Sequence, residues 1–330
     1  MTSTPVTETY LPENGTKNND TGMDPLSKFY LVSSVIIIVL GLTGNGLVIW
    51  IAGFKVRKSV ISIWYLSLAV SDFLFCSTLP FFVHYVITGT WIFGQFMCYL
   101  VYLNIPLNLY CSNFLLTIIS VDRCVIVMFP VWAQNQRTVK KASMVVVLVW
   151  FISATFYVPA LVIPNSENRT VTTDKCQIYS DSAAIPIYDF IFAFFIPFLI
   201  FITCCFIIIR KLKTMQMVSS KKPFRIMTAL SAAFLICWLP YHIVMLMYVS
   251  NTQNEFLYIM DVIAFILMST SSCLNPFLYA FMGKDFKKQF YAILSNIENA
   301  MEDEDNQSTD RGTNPTRGGS QHTTTISSVL

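Results

Sequence analysis

CYLVYLNIPLNLYCSNFLLTIISVDR, residues 98–123, is apolar almost throughout, carries a few polar groups in mid-run, and closes on the acid–base pair Asp122-Arg123. A helix rises ~1.5 Å per residue, so these residues span ~37 Å. The hydrocarbon core of a bilayer is ~30 Å thick, so such a rod crosses it. One end then holds a cysteine placed for an outer tether and the other a charge pair at the inner face. The rest of the chain reads as packing around that rod.

Hydrophobic residues make up 54% of the 330-residue chain and charged residues 12%, about half the share usual in a soluble protein. Seven apolar runs cover about 28–54, 61–87, 96–127, 142–164, 184–210, 226–250 and 256–281. They are too long for barrel strands, and only helices or closed barrels satisfy the backbone in lipid. The expected fold is therefore an all-α membrane protein, a seven-transmembrane helix bundle. Residues 1–27 read as a polar, disordered tail and 28–282 as the bundle. Residues 283–298 read as a short amphipathic helix on the membrane surface, and 299–330 as a disordered tail. The first residues lack the basic start and apolar core of a cleavable signal peptide. The chain carries no Arg/Lys stripe with interleaved aromatics outside its loops, which argues against nucleic acid as a partner.

With the amino terminus outside, the inner side collects 18 of the 22 Lys and Arg residues and the outer side 4. This bias predicts a multi-pass plasma-membrane protein with an extracellular amino terminus and a cytoplasmic carboxyl terminus. Of nine cysteines, Cys98 and Cys176 fall at the outer face, which points to one disulfide pinning the loop after span four. Asn14, Asn19 and Asn168 head glycosylation sequons on the same side.

Polar groups inside lipid are costly and therefore informative. Asn45, Asp72, Asn108, Ser112, Asn113, Ser271, Ser272 and Asn275 all lie well inside spans. An ionised carboxylate there must be paired, ion-bound or protonated. Asp72 is thus either a protonated or hydrogen-bonded helix fastener, or part of a small-cation site with Ser112, Asn108 and Asn275, sodium being the candidate. Pro106, Pro197, Pro240 and Pro276 each interrupt a span and free carbonyls, as bends or static kinks. A transporter would show inverted repeats and a channel charged rings; neither is visible. The three histidines, His84, His242 and His322, are too scattered for an enzyme centre.

Several motifs resemble, span by span, those of rhodopsin-like (class A) G-protein-coupled receptors. They are Gly44-Asn45 with Val48, LSLAVSD at 66–72, Asp122-Arg123-Cys124, CWLP at 237–240 and NPFLY at 275–279. WIFGQFMC at 91–98, PVWAQNQRTV at 130–139 and SCLNPFLYAFMGKDFKK at 272–288 are similar to the chemoattractant branch, nearest the formyl peptide and chemerin receptors. The absence of a lysine in 256–281 rules out a retinal protein within this family. The resemblance implies that Asp122 restrains Arg123 until the inner end opens to a G protein. It implies that Trp238 and Phe234 form a rotamer-sensitive element, and that Pro240, Asn275, Pro276 and Tyr279 rearrange with Asp72. Cofactors are expected to be none beyond the sodium ion.

The chain departs from the family at three places. Cys205 stands where the family usually places a tyrosine, and Asn113 occupies a normally apolar site beside Pro197 and Phe234, which suggests an altered activation equilibrium. The formyl-peptide-binding acid and arginines are replaced by Pro106, Ile185 and Asp189. Ten acids against four bases at the outer side favour a cationic peptide or small protein, with Asp189 and Asp261 as counter-charges. Tyr102, His84, His242 and Tyr241 are further candidates for the mouth, although a lone His242 is more often structural. The alternative ligand is a lipid mediator.

Inside, a short basic third loop goes with inhibitory G-protein coupling in this branch. Ser308, Thr309, Thr323, Thr324, Thr325, Ser327 and Ser328 are candidate sites for receptor kinases, and their phosphates suit arrestin. The ending Ser328-Val329-Leu330 also fits a PDZ-domain ligand.

Overall fold

The computed structural model describes residues 24–162, 176, 184–214, 221–250, 255–280, 291 and 295. Asp24 caps the first helix, its carboxylate accepting from the Ser27 N–H at 3.1 Å. That helix, α1 (Pro25–Trp50), runs into a π-turn over Ile51–Lys55. Next, α2 (Val60–Thr88) opens on a capping box in which Ser59 and Ser62 exchange side-chain and backbone hydrogen bonds. It closes on Gly89 at φ 67°, a left-handed position that suits glycine.

The quoted stretch lies in α3 (Gly94–Met128), which ends where Pro130 cannot continue it and instead starts a short helix, α4 (Pro130–Gln136). Then follow α5 (Val139–Val162), α6 (Ala184–Asp189), a π-segment (Phe190–Phe195) and α7 (Ile196–Thr214). The last two helices are α8 (Lys221–Val249) and α9 (Glu255–Ala280). No strand occurs among the described residues. Six helical rods are long and apolar enough to cross a membrane, and α8 adds a shorter apolar stretch over Ala233–Val249. The fold is an all-α, seven-transmembrane bundle.

α3 is the rod at the centre, packed against α2, α5 and α7. Its buried face is the one with the polar groups: Asn104, Asn108, Ser112, Asn113, Thr117 and Ser120 are all buried. Lipid-facing positions carry the exposed apolar side chains instead, such as Val147 and Phe151 on α5. That inversion is expected where the surrounding solvent is hydrocarbon.

One expectation changes. Pro106 does not break span three, for α3 is continuous through it, and Pro240 and Pro276 likewise sit inside continuous helices. Neighbouring groups supply the bonding a proline removes, so the helix survives. The two π-segments and α4 have no counterpart in the apolar pattern. The amphipathic helix at 283–298, the terminal tails, the three sequons and the phosphorylation candidates lie outside the described residues, apart from Tyr291 and Ser295, which are exposed. These last two belong to a second unit, Lys288–Leu330.

Two glycines let α1 approach its neighbours. A Cβ at Gly41 would overlap the Cys76 thiol and lie 3.2 Å from its Cβ, while one at Gly44 would meet the Pro276 ring at 3.1 Å. Gly41→Ala is therefore expected to destabilise the bundle by about 1–3 kcal/mol. Thermal melting of the purified protein would read this, and most of the loss should vanish in a Cys76→Ala background. Equal losses in both backgrounds would contradict the packing described.

Candidate functional site

At one end of the bundle Cys98, in the first turns of α3, forms a disulfide with Cys176 (Cα–Cα 5.6 Å). Tyr102, one turn further along α3, donates its hydroxyl to the Cys176 carbonyl at 3.1 Å. His84, half-buried on α2, stacks edge-on against Phe93, whose ring also meets Trp91 and Phe81. The sequence pairing of the two cysteines is thus realised, and Tyr102 and His84 lie at this end.

Deeper in, an aromatic floor assembles from α8 and the π-segment. Trp238 and Tyr241 meet edge-on, Tyr241 abuts His242, and His242 packs against Phe190 and Phe194. His242 is 1% exposed, and neither ring nitrogen has a hydrogen-bond partner among the described residues. Phe234 lies buried below, stacked on Phe194 at 5.5 Å and touching Phe201 at 5.3 Å.

The two candidate acids each lie beside a tyrosine of another helix. The Tyr110 hydroxyl donates to Asp189, tying α3 to α6, inside a ring cluster of Phe114, Phe156, Tyr188 and Phe192. Asp261 on α9 is 8% exposed and lies beside Tyr248 of α8. The chain reading placed both acids open to ligand. In this structure Asp189 is half-buried and paired with Tyr110, as a carboxylate facing hydrocarbon needs a donor, and Asp261 is buried.

Halfway along the bundle Asp72 gathers three donors. Asn108 Nδ2 and Ser112 Oγ reach its Oδ1 at 3.0 and 3.2 Å, and Asn275 Nδ2 reaches its Oδ2 at 2.6 Å. Ser71 joins through Asn108 at 3.1 Å. A cavity of about 20 Å³ opens beside this group, lined by Ser112, Ser271 and Asn275 on one side and Phe234 and Trp238 on the other. That is room for about one water-sized occupant. One carboxylate with hydroxyl and amide oxygens forms a donor set of the kind hard cations prefer. Among the described residues no three His, Cys, Asp or Glu side chains converge as a transition-metal site would require.

Two asparagines sit opposite prolines, for a backbone reason. Pro197 and Pro276 have no N–H, which leaves the carbonyls of Ala193 and Ser272, four residues earlier, without their helical donors. Asn113 Nδ2 donates to the Ala193 carbonyl at 2.8 Å, and Asn45 Nδ2 to the Ser272 carbonyl at 2.9 Å. The unusual Asn113 is thereby explained: it caps the π-segment of span five. Asn104 works similarly between α3 and α2, reaching Thr78 Oγ1 and the Leu74 carbonyl at 2.9 and 2.8 Å.

At the far end of α3 the expected partnership is rearranged. Asp122 does not hold Arg123; it forms a two-pronged ion pair with Arg137, Nε–Oδ1 2.6 Å and Nη2–Oδ2 2.8 Å. Arg123 turns to α2 and donates to the Tyr65 hydroxyl at 3.3 Å. Tyr279 lies in the last turn of α9. The sequence reading missed Tyr110, Tyr248, Asn104, Tyr65 and Arg137 as partners. Asn104 was reachable by the same intramembrane-cost argument as Asn108; Arg137 was counted only towards orientation.

The description 7 transmembrane receptor (rhodopsin family) matches residues 44–279. The fMet-Leu-Phe receptor of Oryctolagus cuniculus is 34% identical over 329 residues, covering 92% of this chain and 93% of the relative. Formyl peptide receptor 2 of Mus musculus is 35% identical over 315 residues, covering 87% and 90%. Chemerin-like receptor 1 of Rattus norvegicus is 35% identical over 302 residues, covering 84% and 81%. The chain therefore belongs to the rhodopsin family of seven-transmembrane receptors, within its chemoattractant branch. This is a family of receptors for extracellular ligands that signal through G proteins, not a family of enzymes.

Asn113→Ile removes the donor that satisfies the Ala193 carbonyl. Leaving that carbonyl unpaired is expected to cost about 1–3 kcal/mol, read as a lower melting temperature that Asn113→Gln partly recovers. An unchanged melting temperature in Asn113→Ile would show that the cap is dispensable.

Proposed function

We propose that this protein is a receptor for an extracellular cationic peptide or small protein chemoattractant, signalling through inhibitory-type G proteins and arrestin. The observation that carries the ligand class is the charge lining the disulfide end. Asp189 and Asp261 are half-buried and buried near the starts of spans five and seven, whereas Lys28, the one basic residue of that side among the described residues, is exposed on α1. Buried acids with no buried base beside them among the described residues attract cations and repel anionic lipids. The relatives are named for formyl peptides and chemerin, and a peptide ligand agrees with them. The missing arginine clamp argues against a formyl peptide itself.

A peptide cation would take the place of the Tyr110 hydroxyl on Asp189 and bind beside Tyr248 on Asp261. His84, Tyr102, Tyr241 and His242 supply the aromatic walls. Movement of the floor would pass through Trp238 and Phe234 to the polar group around Asp72 and on to Arg123. Asp122, Asn113, Pro197, Pro240, Asn275, Pro276 and Tyr279 would be the parts that rearrange. Screening cationic peptides against anionic lipids by G-protein nucleotide exchange tests the reading. An activating peptide should lose about tenfold or more in potency in Asp261→Asn and in Asp189→Asn, the scale of one charge-assisted hydrogen bond. Activation by anionic lipids alone, or potency indifferent to both variants, would replace this reading with that of a lipid-mediator receptor.

The group around Asp72 is proposed to hold sodium, with Asp72, Ser112, Asn108 and Asn275 as its oxygen sources. Occupancy at ten times Kd stabilises a protein by about 1.4 kcal/mol. The melting temperature should therefore rise when sodium chloride replaces choline chloride at constant ionic strength, and Asp72→Asn should abolish the rise. A parent receptor indifferent to sodium would refute the site.

A further inference from the structure

We infer that Asp189 and the aromatic rings gathered about Tyr110 form a site for a guanidinium group, at which a basic peptide would present arginine rather than lysine. The part of this site in signalling rests on the cationic-peptide reading above; the binding of a guanidinium does not.

Two of the intramembrane acids are supplied very differently. Asp72 takes three side-chain donors, from Asn108, Ser112 and Asn275. Asp189 takes one among the described residues, the Tyr110 hydroxyl on Oδ1. The one side-chain ion pair among the described residues lies elsewhere, between Arg137 and Asp122. A carboxylate in a membrane span with a single neutral donor is costly to keep ionised, and an arriving cation relieves that cost.

The surroundings decide which cation. Tyr110 stands in a cluster of five rings drawn from α3, α5, α6 and the π-segment. Phe156 of α5 is at its centre, with ring centroids 5.2 Å from Tyr110, 5.8 Å from Phe114, 5.5 Å from Tyr188 and 5.5 Å from Phe192. Tyr188, the residue before Asp189, lies 4.5 Å from Phe192. Tyr110 is buried, whereas Phe114, Phe156, Tyr188, Phe192 and Asp189 are each half-buried. Ring surface and acid are thus open to a further group at the same place.

Aromatic walls favour a cation that sheds water easily. A guanidinium is planar and weakly hydrated, stacks on aromatic faces, and offers two parallel N–H groups to the two oxygens of one carboxylate. Taking the place of the Tyr110 hydroxyl on Oδ1, it covers Oδ2 as well. An ammonium is a compact, strongly hydrated point charge and gains less from such walls. A quaternary ammonium suits the rings but has no N–H for the acid.

Benzylguanidinium, benzylammonium and benzyltrimethylammonium carry these three heads on one ring. Saturation-transfer NMR with the receptor in nanodiscs compares their affinities without any known agonist. Benzylguanidinium is expected to bind about fivefold or more tighter than either of the others, the scale of one cation–π contact. Asp189→Asn should abolish its binding, and Phe156→Leu, which keeps the acid, should bring it down to the benzylammonium level. Phe192→Leu, a second route to the same loss, should shift the ratio the same way. Equal affinities in the parent, no binding by benzylguanidinium, tightest binding by benzyltrimethylammonium, or a preference that survives loss of Phe156 or of Asp189 would overturn the assignment. Rings that merely pack spans three to five together would give that last result, with a lowered melting temperature and the ratio intact. If benzylguanidinium binds through Asp189 while no cationic peptide drives nucleotide exchange, the site stands and the peptide reading falls. If activating peptides keep their potency when each arginine becomes lysine, the peptide reading stands and the site falls.

Discussion

A backbone carbonyl inside hydrocarbon must find a donor within the protein, because no water is there to supply one. The bundle is organised by how it meets this demand at its prolines. Pro197 and Pro276 each withhold an N–H, and each orphaned carbonyl is met by an asparagine amide from a neighbouring span, Asn113 to Ala193 and Asn45 to Ser272. Helix irregularity and helix association are therefore the same event. The cap that permits a π-segment in span five also joins it to span three, and the cap above Pro276 joins span seven to span one. Gly44 is small where α1 meets the Pro276 ring, so the second cap can reach its target.

The same economy governs the charged groups. Asp72 and Asp189 lie at different depths, and each takes its donors from other helices rather than from its own. Such contacts hold the bundle together in a medium that gives helices no hydrophobic reason to associate. They are also exchangeable, since a ligand cation, a metal ion or a different side chain can take a donor's place. A receptor built from such contacts can change partners without exposing a bare charge to lipid.

Much of this was legible in the chain. The seven runs, the Cys98–Cys176 bridge and the polar residues at 72, 108, 112 and 275 follow from hydropathy, spacing and the cost of burying polarity, and the structure brings those four residues to one place. What was not legible shares a cause. Tyr110, Tyr248 and Tyr65 read as ordinary amphipathic side chains until a partner helix is placed beside them. Arg137 lies in a loop where basic residues are counted for orientation. The π-segments leave no mark in composition, because one extra residue in a turn does not alter an apolar run. Asn113 looked like an anomaly of the switch region, yet it is needed by the carbonyl that Pro197 strands. A polar residue's purpose in lipid is set by which backbone group opposite it lacks a donor, and that is a property of pairs of helices.

Cys176 is fastened to α3 twice, through its sulfur to Cys98 and through its carbonyl to Tyr102. The connection between α5 and α6 is thereby divided at one residue into two shorter loops, 163–175 and 177–183. Closing a loop costs entropy that grows with its length, and here that cost falls during folding, when the bridge forms. A ligand arriving later meets a connection with one anchor point already fixed, so less ordering is left for binding to accomplish. The disulfide thus moves part of the work of recognition from the moment of binding to the moment of folding.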